Sequence, residues 1–209
     1  MSKTTQRIVV LIFALALIIP AGLVGIGQFT QNDQGNRQVA DSAQDTRAKV
    51  DPSTQPKPTN TTEPSRADFP GIDDETEAGA KAATTYLFAV YAYMIGTGDT
   101  SAWRELMDPS CEECMRFADN AEQLHAAGGW IVGGEITLSD EKVTLTKGNG
   151  ASDGASTTAK VDATFHEAAA KLIDDPTREP ATRGASQGKF SVGLRFVDGH
   201  WRVTSMAVG

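Results

Sequence analysis

Cysteine, histidine and positive charge are scarce in this chain. Its 209 residues hold 2 cysteines and 3 histidines, and 19 lysines and arginines stand against 27 acidic residues, a net charge of -8. With so few soft ligands, and no two further ones at suitable spacing from Cys111 and Cys114, a zinc site is not expected. No metal set and no cofactor motif is recognised, and no catalytic signature names a reaction. The shortage of positive charge is also uneven. From Ala67 onward 22 acidic residues face 12 basic ones, whereas the first 66 residues hold 5 acidic and 7 basic. An acidic domain repels phosphate backbones, which excludes nucleic acid as a partner. The same net charge argues against a broad electrostatic contact with anionic lipid.

Charge is absent altogether from Ile8 to Gly27. Twenty apolar residues in a helix reach about 30 Å, the thickness of a bilayer's hydrocarbon core, and lipid demands that their backbone groups pair internally. Lys3 and Arg7 precede the run, and no cation follows it until Arg37. That bias keeps residues 1–7 in the cytoplasm and sends the rest across the membrane. The expectation is a single-pass anchor over 8–27, with the folded part outside the cytoplasm. A cleaved signal peptide is the competing reading, with the small residues Gly25 and Gly27 before a cut. The run exceeds the usual signal core, lacks a terminal Ala-x-Ala and is followed by no lipidation cysteine.

Large apolar residues are nearly missing from 28–66, a stretch rich in Gln, Asn, Ser, Thr and Pro. It lacks the surface to offset its chain entropy, so a disordered linker is expected there.

The remaining residues, 67–209, read as one α+β domain. A long helix is expected after Pro70, apolar on more than one side and ended by Gly96 and Gly98. Two shorter helices follow, over Ala102–Met107 and about Cys111–Ala126. Then the pattern changes to alternation. Trp130–Leu138 and Lys142–Lys147 read as a strand pair, Gly148–Gly154 as a loop, and Thr158–His166 as a strand with Val161, Ala163 and Phe165 on one face. Residues 166–175 read as a strand extension or a short helix, and the stretch up to Gly188 as a loose loop. Lys189–Val197 and His200–Val208 form a hairpin about Asp198-Gly199. Helices packed on a curved antiparallel sheet are the expected architecture.

Certain short runs carry a resemblance. They are Gly96-Thr-Gly-Asp-Thr100, Asp108-Pro-Ser-Cys-Glu-Glu-Cys114, Gly128-Gly129 and His200-Trp-Arg-Val203. Together, over about Pro70–Gly209, they resemble a family of exported actinobacterial proteins, domain of unknown function 6318. The resemblance implies a cone-shaped domain similar to the nuclear-transport-factor-2-like superfamily. It implies no activity.

The cysteines suit a structural disulfide in an oxidising compartment, and closing so short a loop contributes about 2 kcal/mol in the chain-entropy model. A redox pair is the sharper alternative, disfavoured by Glu112 and Glu113 between the thiols. Tyr86, Tyr91, Trp103, Phe165, Phe190, Phe196 and Trp201 are candidates to line a ligand pocket, with core packing as the alternative. His166 and Glu167 fall at a strand end, where acid–base work would need a further partner. His125 and His200 read as surface residues, and Asp162 and Arg195 as solvated. The expected function is a membrane-anchored, non-enzymatic binding or assembly module that meets a protein partner or a second copy. A small-ligand carrier or pocket enzyme is the alternative, and a thiol-redox protein ranks last.

Overall fold

The computed structural model describes residues 45–148 and 156–209. The expected anchor at 8–27, most of the expected linker and the Gly148–Gly154 loop beyond its first residue lie outside the described residues. Among the described residues no helix is long and apolar enough to cross a membrane.

Three helices come first: α1 (Glu77–Thr97), α2 (Ser101–Leu106) and α3 (Glu112–Ala126). Helix α1 starts later than the acidic run after Pro70 implies, because Thr76 is its cap and accepts from the Gly79 backbone N–H at 3.1 Å. The preceding acidic residues form turns instead, and the Asp74 carbonyl accepts from Trp201 Nε1 at 2.8 Å. Gly98, at φ 77°, ends the helix in the left-handed region. Gly96 lies inside it rather than ending it.

Seven strands follow: β1 (Trp130–Gly133), β2 (Ile136–Thr146), β3 (Thr158–Glu167), β4 (Ala170–Ile173), β5 (Ala181–Arg183), β6 (Ser186–Val197) and β7 (His200–Val208). All pair antiparallel, in the orders β1-β4-β5 and β2-β3-β6-β7. The expected pairing of the 130–138 and 142–147 segments does not occur. Gly133 and Gly134 have φ of 79° and 77° and redirect the chain, so β1 and β2 are successive parts of one path rather than a hairpin. The segment expected as a loose loop holds β5 and the start of β6, and β4 resolves the 166–175 ambiguity in favour of a strand. The β6–β7 turn matches its Asp-Gly signal, with φ of 52° and 83° at Asp198 and Gly199.

The two sheets share one register. Gly133 opposes Ala170 and Ile136 opposes Glu167, so the β1/β4 pairing runs on into β2/β3 without a slip. Ala170 opposes Arg183 and Glu167 opposes Ser186, so β4/β5 runs on into β3/β6. Backbone bonds from Gly134 N to Ala169 O (3.2 Å) and from Ala168 N to Glu135 O (2.9 Å) bridge the break. The result is one antiparallel surface creased along a single line across three strands.

Helix α1 packs on the inner side of this surface, against β1, β2, β3 and β7. Val161, Phe165, Phe190, Val192, Leu194, Trp201 and Val203 meet Leu87, Phe88, Val90, Tyr91 and Met94 in a single core.

The expectation of disorder over 28–66 fails for its described part. Residues 45–66 lie along the domain as an arm. Arg47 binds Asp174 through both terminal nitrogens, at 2.6 and 2.9 Å. Gln55 is buried, and its amide donates to the carbonyls of Pro176 (2.9 Å) and Arg178 (2.6 Å). Trp130 Nε1 donates to the Pro56 carbonyl at 2.8 Å, and Lys57 lies over the Trp130 ring. A Cβ at Gly96 would sit 3.3 Å from the Asn60 carbonyl and from Pro58, so the missing side chain lets the arm cross α1 closely. Farther on, Arg66 stacks on Tyr86 and Phe69 meets the same ring edge-on at 5.2 Å. Why α1 is apolar on more than one side follows: the sheet takes one face, while α2, α3 and the arm cover others. Polar composition misled because specific amide, guanidinium and indole bonds, rather than apolar area, hold the segment.

Gln55→Ala should therefore lower unfolding free energy by about 1–2 kcal/mol, since it strips two buried hydrogen bonds. Chemical denaturation measures this; an unchanged midpoint would mean that the arm is not part of the cooperative unit.

Candidate functional site

The candidate pocket residues are core. Tyr86, Tyr91, Trp103, Phe165, Phe190 and Trp201 are between 1 and 6 % exposed, and Phe196 is half-buried. They pack on one another and their neighbours: Phe88 with Phe190 at 5.0 Å between ring centres, Tyr91 with Trp103 at 5.9 Å, and Phe196 with Trp201 at 5.1 Å.

A charged group borders this core, Glu167, which the sequence places at a strand end beside His166 without showing that it is buried. Alternation along β3 carries Ala159, Val161, Ala163, Phe165 and then Glu167 to the inner face. Glu167 sits at the crease, 4 % exposed. Its Oε1 pairs with Arg183 of β5, and its Oε2 accepts from the Ser186 hydroxyl at 3.0 Å. Tyr91 is close enough to feel the guanidinium, although burial dominates and pushes its hydroxyl up to about 12. Burial also holds the Arg183 guanidinium below its ordinary value. Both Glu167 oxygens are engaged by protein partners, which suits holding the crease shut better than moving a substrate's proton. The period of two in β3 was the available signal for Glu167, but its partner sits 16 residues on in a segment that reads as loop.

His166, one residue earlier, points to the opposite face, so the two cannot act together. Its Nε2 lies 3.1 Å from Ser139 Oγ. His125 is not a free surface group: Nε2 is 3.0 Å from the Ile95 carbonyl, and its ring fills the space beside Gly98. His200 is exposed, with Nδ1 2.8 Å from Asp73 Oδ1. Among the described residues no three His, Cys, Asp or Glu side chains cluster as metal ligands.

The Asp-Pro-Ser-Cys-x-x-Cys run is a joint between helices and sheet. Cys111 and Cys114 form a disulfide with Cα atoms 5.2 Å apart, and both residues are buried. Trp103 Nε1 donates to the Cys114 carbonyl at 2.8 Å and draws α2 onto α3. The buried Asp108 Oδ1 accepts from Ser110 Oγ (2.5 Å) and N (3.0 Å), its Oδ2 pairs with Arg195, and its backbone N–H donates to Val203 at 2.8 Å. Arg195, expected to be solvated, thus ties β6 to this joint. The Ser110 hydrogen bonds, with Arg195 added, hold the Asp108 carboxyl below its ordinary value.

On the outer side, β2, β3, β6 and β7 present a cleft of about 470 Å³. Asp140, Lys142, Asp162, Lys189, Ser191 and Ala207 line it, with others. A bulge between Ser139 and Lys142, with Asp140 at φ 54°, shapes its rim. Lys189 Nζ donates to Thr164 Oγ1 at 2.8 Å, and that hydroxyl donates to Asp140 Oδ2 at 3.1 Å. Asp162 pairs with Lys160 at 2.6 Å. Of the candidate pocket aromatics only Phe190 borders this cleft.

With this geometry in hand, comparison with known proteins adds a family. A model described as a family of unknown function (DUF6318) matches residues 50–207. The chain belongs to this family. The DUF6318 match begins within the arm, which agrees with the arm's packing as part of the domain. No curated protein matches the chain. Among solved structures, the intermembrane-space region of the chloroplast protein ARC6 is 19% identical, covering 64% of this chain and 95% of its own, with a TM-score of 0.46. A five-substitution variant of the protein Rd1NTF2_05 is 15% identical, covering 65% and 100%, with a TM-score of 0.35. These mark a general likeness and no more.

Removing one partner of the crease pair should destabilise the fold. Glu167→Ala is expected to lower unfolding free energy by about 2 kcal/mol, because the half-buried Arg183 guanidinium and the Ser186 hydroxyl lose their buried carboxylate partner. Glu167→Leu combined with Arg183→Met should recover most of that loss in urea titrations; equal losses in single and double variants would refute the coupling.

A depressed folded-state value means that Asp108 stabilises the fold above its unfolded value, near 3.8, and that this support fades as pH falls through the lower folded value. At neutral pH Asp108→Asn should be less stable by about 2 kcal/mol. That gap should narrow as pH falls below the unfolded value and on through the lower folded one. Thermal unfolding against pH reads it, and a pH-independent gap would remove the carboxylate's role.

Proposed function

We propose that this domain is a non-enzymatic binding or assembly module, held at the outer face of a membrane, with the cone architecture of the nuclear-transport-factor-2-like superfamily. The packed interior supports the first part. The aromatic residues that would line a ligand pocket contact one another and α1, and the buried carboxylates are engaged, Glu167 by Arg183 and Ser186 and Asp108 by Ser110 and Arg195. Work therefore falls to the surface. The uncharged run 8–27 with Lys3 and Arg7 before it supports the anchor and its orientation. A disulfide in buried surroundings suits an oxidising compartment and is out of reach of an attacking thiol, which weakens the thiol-redox reading. The creased antiparallel surface wrapped on α1 supports the cone.

Amine crosslinking in intact cells should capture a protein partner or a second copy of the chain. Native mass spectrometry of the full chain, released from detergent, should show protein mass alone. A small molecule that stays bound until denaturation would overturn this reading and restore the ligand carrier.

A further inference from the structure

Net charge sets this domain against anionic surfaces, yet the fold separates its charges. Residues 68–126, which include all three helices, hold twelve acidic and three basic side chains. The outer side of β2-β3-β6-β7 reverses that balance. The pairing register places Lys142 opposite Asp162, Lys160 opposite Gly193, Thr164 opposite Lys189, and Arg195 opposite Arg202. Four successive cross-strand rows thus each carry a cation, five in all. Against them stand Asp140, the half-buried Glu141 of the bulge, Asp162, which pairs with Lys160, and Asp108, which pairs with Arg195. Lys142, Lys189 and Arg202 are thus the cations of this face with no carboxylate bonded to them among the described residues. Between the cations lie Ser191, Gly193 and Ala207, small residues that leave the face shallow, with no large exposed apolar group to insert into lipid.

We infer that this face rests on the anionic phospholipid headgroups of the bilayer to which the chain is tethered, turning the acidic helical side away from it. The inference rests on the anchored reading above. Seventeen residues separate Gly27 from Asp45, where the described arm begins. Even fully extended, they span at most about 60 Å. The tether therefore supplies a high effective concentration of headgroups, and a few lysines and arginines suffice for a contact too weak to hold a free domain. The acidic helical side is repelled by the same surface, so the bilayer's field orients the domain as well as attracting it. Because the contact is electrostatic and shallow, salt dissolves it.

The test is lysine acylation of the full chain in two vesicle preparations, phosphatidylcholine alone and phosphatidylcholine mixed with phosphatidylglycerol. Lys81 of α1 and Lys171 of β4 serve as internal references. Labelling of Lys142, Lys160 and Lys189 should fall by about threefold or more in the mixed vesicles, and raised salt should restore it. In the variant Lys142→Glu with Lys189→Glu, checked for native circular dichroism, Lys160 should label equally in both preparations. Equal labelling of the unaltered chain in both vesicles overturns the inference. So does protection that appears in both and grows with protein density, which would mean that a second copy covers the face. Release of the chain by an alkaline wash sinks the anchored reading and this one together, whereas a retained chain with equal labelling sinks only this one.

Discussion

The crease across three strands is the constraint on which the rest of the molecule depends. Three chain segments, passing through Gly133–Glu135, Ala168–Ala169 and Gly184–Ala185, interrupt their pairing at one line and resume it in register. Positive φ at Gly133 and Gly134 permits the change of direction, and a Cβ at Gly133 would lie 2.4 Å from the Ala169 carbonyl. A single bent surface has an inside and an outside. The inside receives α1 and buries the apolar rows; the outside is left to polar and charged side chains. Glu167, Arg183 and Ser186 close the inside at the bend itself.

A bent sheet and a helix still need fixing at their other margins. Asp108 does this at the α2–α3 joint, where one carboxylate caps the Ser110 turn and pairs with Arg195 of β6. The arm does it along α1, where it seats Gln55 between two loop carbonyls and crosses at Gly96. Both fixings are polar. The core supplies most of the burial, while these bonds choose which of several similar packings the chain adopts.

Functionally, the same closure turns attention from interior to surface. A creased sheet whose inner side is filled by Phe165, Phe190 and Trp201 offers little to a small ligand, and the buried Glu167 and Asp108 are both engaged by protein partners. The surface, by contrast, is strongly polarised. Acidic side chains crowd the helical side, and the cations collect on the outer sheet. A domain with that distribution presents different chemistry in two directions, which is what the proposed role as a membrane-held module draws on.

The residues by themselves determined the α+β order, the three helices, the long inner alternations of β3, β6 and β7, and the Asp198-Gly199 turn. Each of these rests on local periodicity or local backbone preference, which a linear reading contains. The family resemblance, too, was carried by short runs such as Asp108–Cys114. The crease, the arm and the pairings of Glu167 with Arg183 and Asp108 with Arg195 were decided only in three dimensions. Their partners lie far apart in sequence or in segments whose composition reads as loop, and hydrogen-bonded polar groups leave no hydrophobic period to detect. Charge separation belongs with them. Counting residues yields a sum, whereas the facing of each strand, set by register and burial, determines where that charge stands.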